Sequence, residues 1–496
     1  MGSLCVGPGA CAWSAGVQGP LDGCRRLGQE MGDWAEREMA GCDLGDKRLN
    51  RRAALLLERL SSEPQLSIPA ACKGLAETTA AYRFFDNERV SPEKMLQPHV
   101  EATLERISRR QRVLLVQDTT ELDFTGRSAG GELGALNWPE RVGLFDHSMV
   151  AFSPEGLCLG VVQAHIWTRQ GLPQKRLRKN KPIEKKESVR WIQGYAEACR
   201  IAQQAQDTLV VSVADREGDI YELFVEAEAA AAEGKRAEWI VRSCQDRSLP
   251  QLQPGEPYRH KKLWAAVRAA PLLGTRTCTV PRRQKRPARE ATLQVRTASV
   301  RLKPPFRRGL KLPTVQVRAV LATEVGAPKD SEPLEWLLLS SLPASALEDA
   351  CRIIDHYLVR WQVETYFRVL KGACRVEALQ LRSVGRLKRC IVVKKIAAWR
   401  TLFVTHLSRV CPHAPCTVAF EDAEWKSVHM VSEGGPLPAR PPALGRFVAM
   451  VAALGGYLGR KGDGPPGPIR LCTGLQSMHH YATAWLAFGP ERPRDV

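Results

Sequence analysis

No run of apolar residues in this sequence reaches the ~18–20 that a membrane crossing needs. The opening MGSLCVGPGACAWSAG has no basic stretch ahead of its apolar residues, and Gly and Pro interrupt them, so no secretory signal is expected. The 15 cysteines include no C-x-x-C pair. The nearest thing to a metal knuckle, CPHAPC (Cys411 to Cys416, with His413 inside), lacks a second ligand pair at finger spacing. Scattered, odd-numbered thiols in an unsecreted chain fit reduced cysteines in a cytosol. No internal repeat appears. Acidic residues are scarce too: 53 against 72 basic ones, a balance of +19 before His is counted. Such an excess points to a polyanionic partner, because Lys and Arg bound to phosphates release counterions. Charge alone does not separate DNA from RNA or an anionic membrane surface.

What is present suits a large soluble globular protein: 496 residues, 44% hydrophobic and 25% charged, enough for about two to four domains. Residues 1–30 are Gly- and Cys-rich and lack periodicity, and are expected to be a disordered extension, with Met31 as an alternative start. From 31 to 108 the pattern is helical, and LGDKRLNRR sets Lys47, Arg48, Arg51 and Arg52 near one helix N-terminus. Such a cluster reads as a phosphate-contact surface, against the plainer reading of a solvated basic helix. Strands follow at VLLVQD, LFDHSMVAFSP, GLCLGVVQAHIW, TLVVSVAD and AEWIVRSC, with helices between the later ones. Between 245 and 335 the helical pattern gives way to strict alternation (TLQVRTASVRLK, TVQVRAVLAT) preceded by the basic loop PRRQKRPARE, with Lys285, Arg286 and Arg289 as patch members. The tail is helical, with Pro- and Gly-rich loops.

Three acids stand out by position. Asp118 closes the apolar strand VLLVQ and Asp215 closes VVSVA, so each carboxylate is aimed by a sheet at an edge crevice. The third, Glu364, lies in YLVRWQVETYFRVLK, Tyr357 to Lys371, a helix without internal Gly or Pro. There Tyr357, Arg360, Glu364 and Lys371 fall within roughly 60° of one another around a helix axis. Taken alone, Arg360 and Glu364 read as an ordinary i,i+4 pair on a solvated face, and each strand-end acid as a cap. Together, two strand-end acids and one helical acid form an oxygen-ligand set suited to two Mg²⁺ ions.

The spacing Y-x2-R-x3-E-x6-K resembles the signature of bacterial cut-and-paste DDE transposases of the insertion-sequence-four group, the group of the transposon-five transposase. QDTTELDF and ADREGDIYELF resemble that family's first and second aspartate segments, and DLGDKR…AAYRFFDN and LGGYLGRKGDG look like its terminal segments. The resemblance spans roughly 31–490. It implies an α/β fold with a ribonuclease-H-like catalytic core (109–244 and 336–390) and a β-rich insertion (245–335). Helical domains flank the core: 31–108 for binding DNA ends and 391–496 for dimerisation. It also implies that Asp118, Asp215 and Glu364 are catalytic and hold two Mg²⁺, for which Mn²⁺ substitutes. Tyr357, Arg360 and Lys371 would grip phosphates beside the scissile bond, Arg242 would lie near the active site, and Trp336 would receive a flipped base. The implied reaction is strand cleavage at the ends of an insertion sequence, hairpin formation and strand transfer into target DNA by a homodimer in the bacterial cytoplasm, at the nucleoid. Cys472 departs from the tryptophan common in the family, which bears on dimerisation. Two other readings remain: a catalytically silent DNA-binding relic or repressor, and a structure-directed nuclease with the same two-metal chemistry.

Overall fold

The computed structural model describes residues 34–127, 130–169, 171, 181–234, 236–250, 261–280, 288–307, 309–329 and 331–490. The extension at 1–30, Lys285 and Arg286 lie outside the described residues. The chain opens with helices α1 (Trp34–Glu38), α2 (Lys47–Ser62), α3 (Ile68–Cys72), α4 (Leu75–Asp86) and α5 (Pro92–Ser108). Helix α2 starts where the Asp46 carboxylate accepts the Arg48 amide, and buries Ala53, Leu56, Leu57 and Leu60, spaced i, i+3, i+4, i+7. Helix α5 starts at the Ser91 cap with Pro92 in its first turn, where a missing N–H costs nothing.

Next come strands β1 (Arg112–Asp123), β2 (Gly134–Ala135), β3 (Val142–Phe152) and β4 (Cys158–Trp167), helix α6 (Val189–Gln204), strand β5 (Leu209–Ala214), helix α7 (Tyr221–Ala232) and strand β6 (Glu238–Arg242). After the short helix α8 (Leu263–Arg268), the alternating segment forms β7 (Leu272–Val280), β8 (Arg289–Leu302), β9 (Val315–Val325) and β10 (Glu335–Ser340). These strands make one mixed sheet in the order β2-β3-β1-β5-β6-β10-β9-β8-β7, with β4 also on β3. Strands β1, β5 and β6 run parallel, which suits their near-continuous apolar sequences, while β3 and β10 pair antiparallel to β1 and β6.

The β-rich insertion is therefore no separate body. Strand β10 carries it into the core sheet, with Trp336 opposite Ala322 of β9 and Leu338 opposite Arg242 of β6. The boundary expected at 335/336 cuts through β10.

Helices α9 (Leu347–Val359) and α10 (Trp361–Arg368) precede the 27-residue α11 (Val384–Val410), then α12 (Asp422–Glu433), α13 (Leu444–Leu454) and α14 (Pro468–Phe488). The boundary expected after residue 390 falls inside α11. This helix is buried along most of its length, Lys394, Lys395 and Arg400 included. Each cation has an internal partner: Lys394 Nζ donates to the Pro64 carbonyl at 2.9 Å, Lys395 Nζ to Asp146 at 2.5 Å, and Arg400 Nη2 to the Ala419 carbonyl at 2.6 Å. Among the described cysteines eleven are free thiols, and Cys411 departs from that expectation as a disulfide-bonded residue.

Candidate active site

Register brings the first two acids together. Val116 of β1 lies beside Val213 of the parallel β5, so two residues on, Asp118 and Asp215 stand at the same height and on the same face. Strand β5 ends one residue before Asp215, whose carboxylate accepts the Glu217 amide at 2.8 Å and caps a short 3₁₀ turn. Helix α7 consequently starts at Tyr221 rather than at the aspartate.

The third acid arrives from α10. Arg360, 3% exposed, stands at the junction of α9 and α10 and spans two of the acids. Its Nη2 donates to Glu364 Oε1 at 2.8 Å and its Nη1 lies 3.5 Å from Asp118 Oδ2. Burial and the neighbouring Asp215 push the Asp118 carboxyl up to about 8, with Glu364 adding to the rise. Arg360 and the Thr119 amide, at 2.8 Å, act against it. Burial works against the charge on Arg360, but Tyr357, Asp118, Glu364 and Asp215 hold its pKa above the ordinary value. Among the described residues no three His, Cys, Asp or Glu side chains close into a ready-made ligand cage. The acids face a buried arginine instead.

Around Arg360 the polar atoms are incompletely satisfied. Its Nε, the Tyr357 hydroxyl and the Trp361 indole N–H are all buried without a hydrogen-bond partner. The Arg360 guanidinium lies over the rings of Trp361 (5.0 Å) and Tyr357 (5.7 Å). Tyr357 is fully buried, and burial raises its pKa, with Arg360 and Arg242 pulling the other way. Burial lowers the pKa of Arg242, which reaches the Glu335 carbonyl at 3.4 Å.

The four-residue stripe expected on one straight helix is divided. The α-helix pauses at Arg360, and after Arg368 a π-turn runs from Val369 to Ala373. The wider turn moves Lys371 off the stripe, and its Nζ lies 3.5 Å from Glu377. Trp336 is 2% exposed, its ring 5.9 Å from that of Trp361, so a base could stack on it only after the chain around it opens. In α2, Lys47, Arg48 and Arg51 are exposed on the first two turns, with Arg48 paired to Asp46 at 3.0 Å. Arg52 instead turns to Glu77 at 2.5 Å, and Arg289 of the basic loop is tied to Glu324.

Two features had no signal in the sequence. Ser148 of β3 sits directly opposite Asp118, and the buried Lys395 ammonium reaches both Ser148 and Asp146. A cavity beside Lys371 is lined by residues from the end of β1 and the segment after α10.

The N-terminal helices and the C-terminal helices each find relatives. Residues 31–90 match the family model for a transposase DNA-binding domain. That match makes this stretch similar to the DNA-binding part of transposases. Residues 396–485 match the transposase Tn5 dimerisation domain, so the chain is similar to Tn5-type transposases at both of its helical ends. A solved structure, the piggyBac transposase synaptic complex with hairpin DNA seen by cryo-EM, aligns with 82% of this chain and 78% of that one. At 10% identity and a TM-score of 0.34 that likeness carries no argument. Among the described residues no helix is long and apolar enough to cross a membrane.

Proposed function

We propose that this protein is a cut-and-paste DNA transposase of the insertion-sequence-four type, which cuts the ends of its element, passes through a hairpin and joins the ends to target DNA as a homodimer. The observation that carries the reading is the convergence of Asp118, Asp215 and Glu364 from three separate elements, where burial first and then the neighbouring Asp215 push the Asp118 carboxyl up to about 8. A sheet with β3 antiparallel and β1, β5 and β6 parallel, bearing acids at adjacent strand exits, supports a ribonuclease-H-like core.

The donor set fits a hard divalent cation: three carboxylates, all-oxygen, with one arginine between them. Asp118, Asp215 and Glu364 would hold Mg²⁺, or Mn²⁺ in its place, which when bound supplies a water of lowered pKa and charge neutralisation at phosphorus. The chain's own residues do the placing. Arg360 aims the Glu364 and Asp118 carboxylates through its two Nη groups. Its Nε and the Tyr357 hydroxyl remain as buried donors for a phosphate oxygen. Lys371 offers a cation at the rim, held near Glu377, and Lys47, Arg48 and Arg51 offer an exposed basic surface for the DNA backbone.

The test uses purified protein, Mg²⁺ and labelled duplexes of the DNA flanking this gene, with Glu364→Gln as control. End-specific hairpins lost in the variant are the expected result. Tight binding by the wild type with no cleavage in Mg²⁺ or Mn²⁺ would leave the DNA-binding relic instead.

A further inference from the structure

The cavity at the far end of β1 is an open surface depression of about 410 Å³, lined by Asp123, Thr125, Arg127, Lys371, Arg375 and Glu377, among others. Its two acids are already engaged. The Asp123 carboxylate accepts Arg141 Nε at 2.8 Å and the Thr125 amide at 2.9 Å. Glu377 Oε1 accepts the Asp123 amide at 3.0 Å and lies 3.5 Å from Lys371 Nζ. They brace the walls and hold Lys371 at the rim. Arg127 and Arg375 differ: both are exposed, and neither side chain has a hydrogen bond or ion pair among the described residues.

Arg375 is also conformationally unusual. Its backbone sits at φ 48°, ψ 42°, in the left-handed region, where a side chain costs free energy and glycine does not. Glycine would turn the chain there without strain but would bring no guanidinium to the cavity. Backbone strain held at a charged, unpartnered side chain is a mark of a functional position.

Chain geometry places the cavity relative to the acids. Five residues of strand separate Asp118 from Asp123, about 17 Å. Seven residues of helix separate Glu364 from Lys371, about 10 Å. Phosphates follow the strand around the duplex as well as along its axis, so successive ones stand about twice the ~3.4 Å axial rise apart, and the cavity lies roughly two to three nucleotides from the acids.

We infer that this cavity is a backbone-phosphate subsite, in which Arg375 and Arg127 join Lys371 in gripping the DNA strand roughly two to three nucleotides from the phosphate being cut. This rests on the DNA-cutting reading above and adds to it two arginines and a register. Guanidinium forks suit phosphate oxygens, and contacts of this kind position DNA without reading sequence.

The experiment measures binding of labelled duplexes from the DNA flanking this gene over a range of salt, with cleavage followed in parallel. Wild type is compared with Arg375→Ala, Arg375→Gly and Arg127→Ala. Each loss of a phosphate contact is expected to reduce the slope of log K against log[salt] by about 0.9, to the same extent on any sequence. Arg375→Gly, which relieves the backbone, should lose as much as Arg375→Ala. An unchanged slope in both Arg375 variants of a protein that still cuts overturns the subsite and leaves the transposase reading intact. Recovery of the slope by glycine alone also overturns it, because Arg375 would then act through the turn. A wild type that binds but never cuts, with the slope reduced in the variants, supports the subsite while the cleavage reading fails. A wild type that does not bind duplex DNA overturns both.

Discussion

Glu38 ties the N-terminal helices to the central sheet. It closes α1, is 6% exposed, and accepts Arg106 Nη1 at 3.0 Å and Nη2 at 2.7 Å. Arg106 Nε continues to the Leu159 carbonyl of β4 at 2.7 Å, and its guanidinium lies 4.4 Å from the Trp399 ring. His99 completes the cluster. Its Nε2 accepts the Val161 amide at 2.9 Å, so the ring proton must sit on Nδ1, which donates to Glu38 Oε1. Burial lowers the His99 pKa, which keeps that ring neutral and in this tautomer. Burial alone would raise the Glu38 pKa, but Arg106 and His99 outweigh it and bring the carboxyl from 4.5 down to about 2.

A fall of that size corresponds to about 3 kcal/mol of stabilisation. The folded-state pKa is depressed, so the contribution is complete above pH 4.5 and disappears as pH falls toward 2. Glu38→Gln keeps an acceptor for His99 but leaves Arg106 without a counter-charge. The substitution should cost about 3 kcal/mol at pH 7, with the gap closing by about 1.4 kcal/mol per pH unit below 4.5. A chain of this length will not unfold in one step, so the readout is hydrogen exchange of the α5 amides against pH. A cost below about 1 kcal/mol, or a cost unchanged between pH 7 and about 3, would refute the argument and reduce the cluster to a screened surface pair.

Three further outcomes follow from the same structure. Mg²⁺ should raise the melting temperature of the wild type but not of Asp118→Asn, by mass action on a native-state site, and an equal shift in both would remove Asp118 from the ligand set. Lys395→Met should cost about 3–5 kcal/mol because it strands the fully buried Asp146, and Lys395→Met/Asp146→Asn should recover part of that in a denaturation series. At Gly474 an added Cβ would come within 1.8 Å of the Val451 carbonyl oxygen, so Gly474→Ala should force α13 and α14 apart at a cost of about 1–3 kcal/mol. Weakened self-association by analytical ultracentrifugation would accompany it, and an unaffected dimer would separate that helix pair from the interface.

The parts of this site that were legible in the sequence are those with a local cause. A carboxylate ending an apolar run is visible without any partner, so Asp118 and Asp215 could be placed at strand exits. Their common height depends on the β1/β5 register, which no local pattern states. The long helix α11 shows the opposite case. Lys394 and Lys395 are buried, and their partners, Pro64 and Asp146, lie 330 and 249 residues away in the chain. A lysine pair that is buried and satisfied leaves no periodic trace, so sequence pattern places a boundary after residue 390, inside a helix that is buried along most of its length.

The YLVR stripe combines both cases. Tyr357, Arg360 and Glu364 do share a face, as helical spacing requires. Spacing does not say whether a polar face meets water or another polar surface. Here it turns inward, toward Asp118 and Asp215, while Val363, Phe367 and Leu370 are buried as well, so that between Trp361 and Leu370 only Arg368 is exposed. The π-turn then redirects Lys371 outward to the cavity beside Arg375. One helix thus carries an arginine that neutralises acids in the interior and a lysine that waits at the rim. The break in helical period between them is what turns the two cations to different surroundings, one buried among acids and one at the rim.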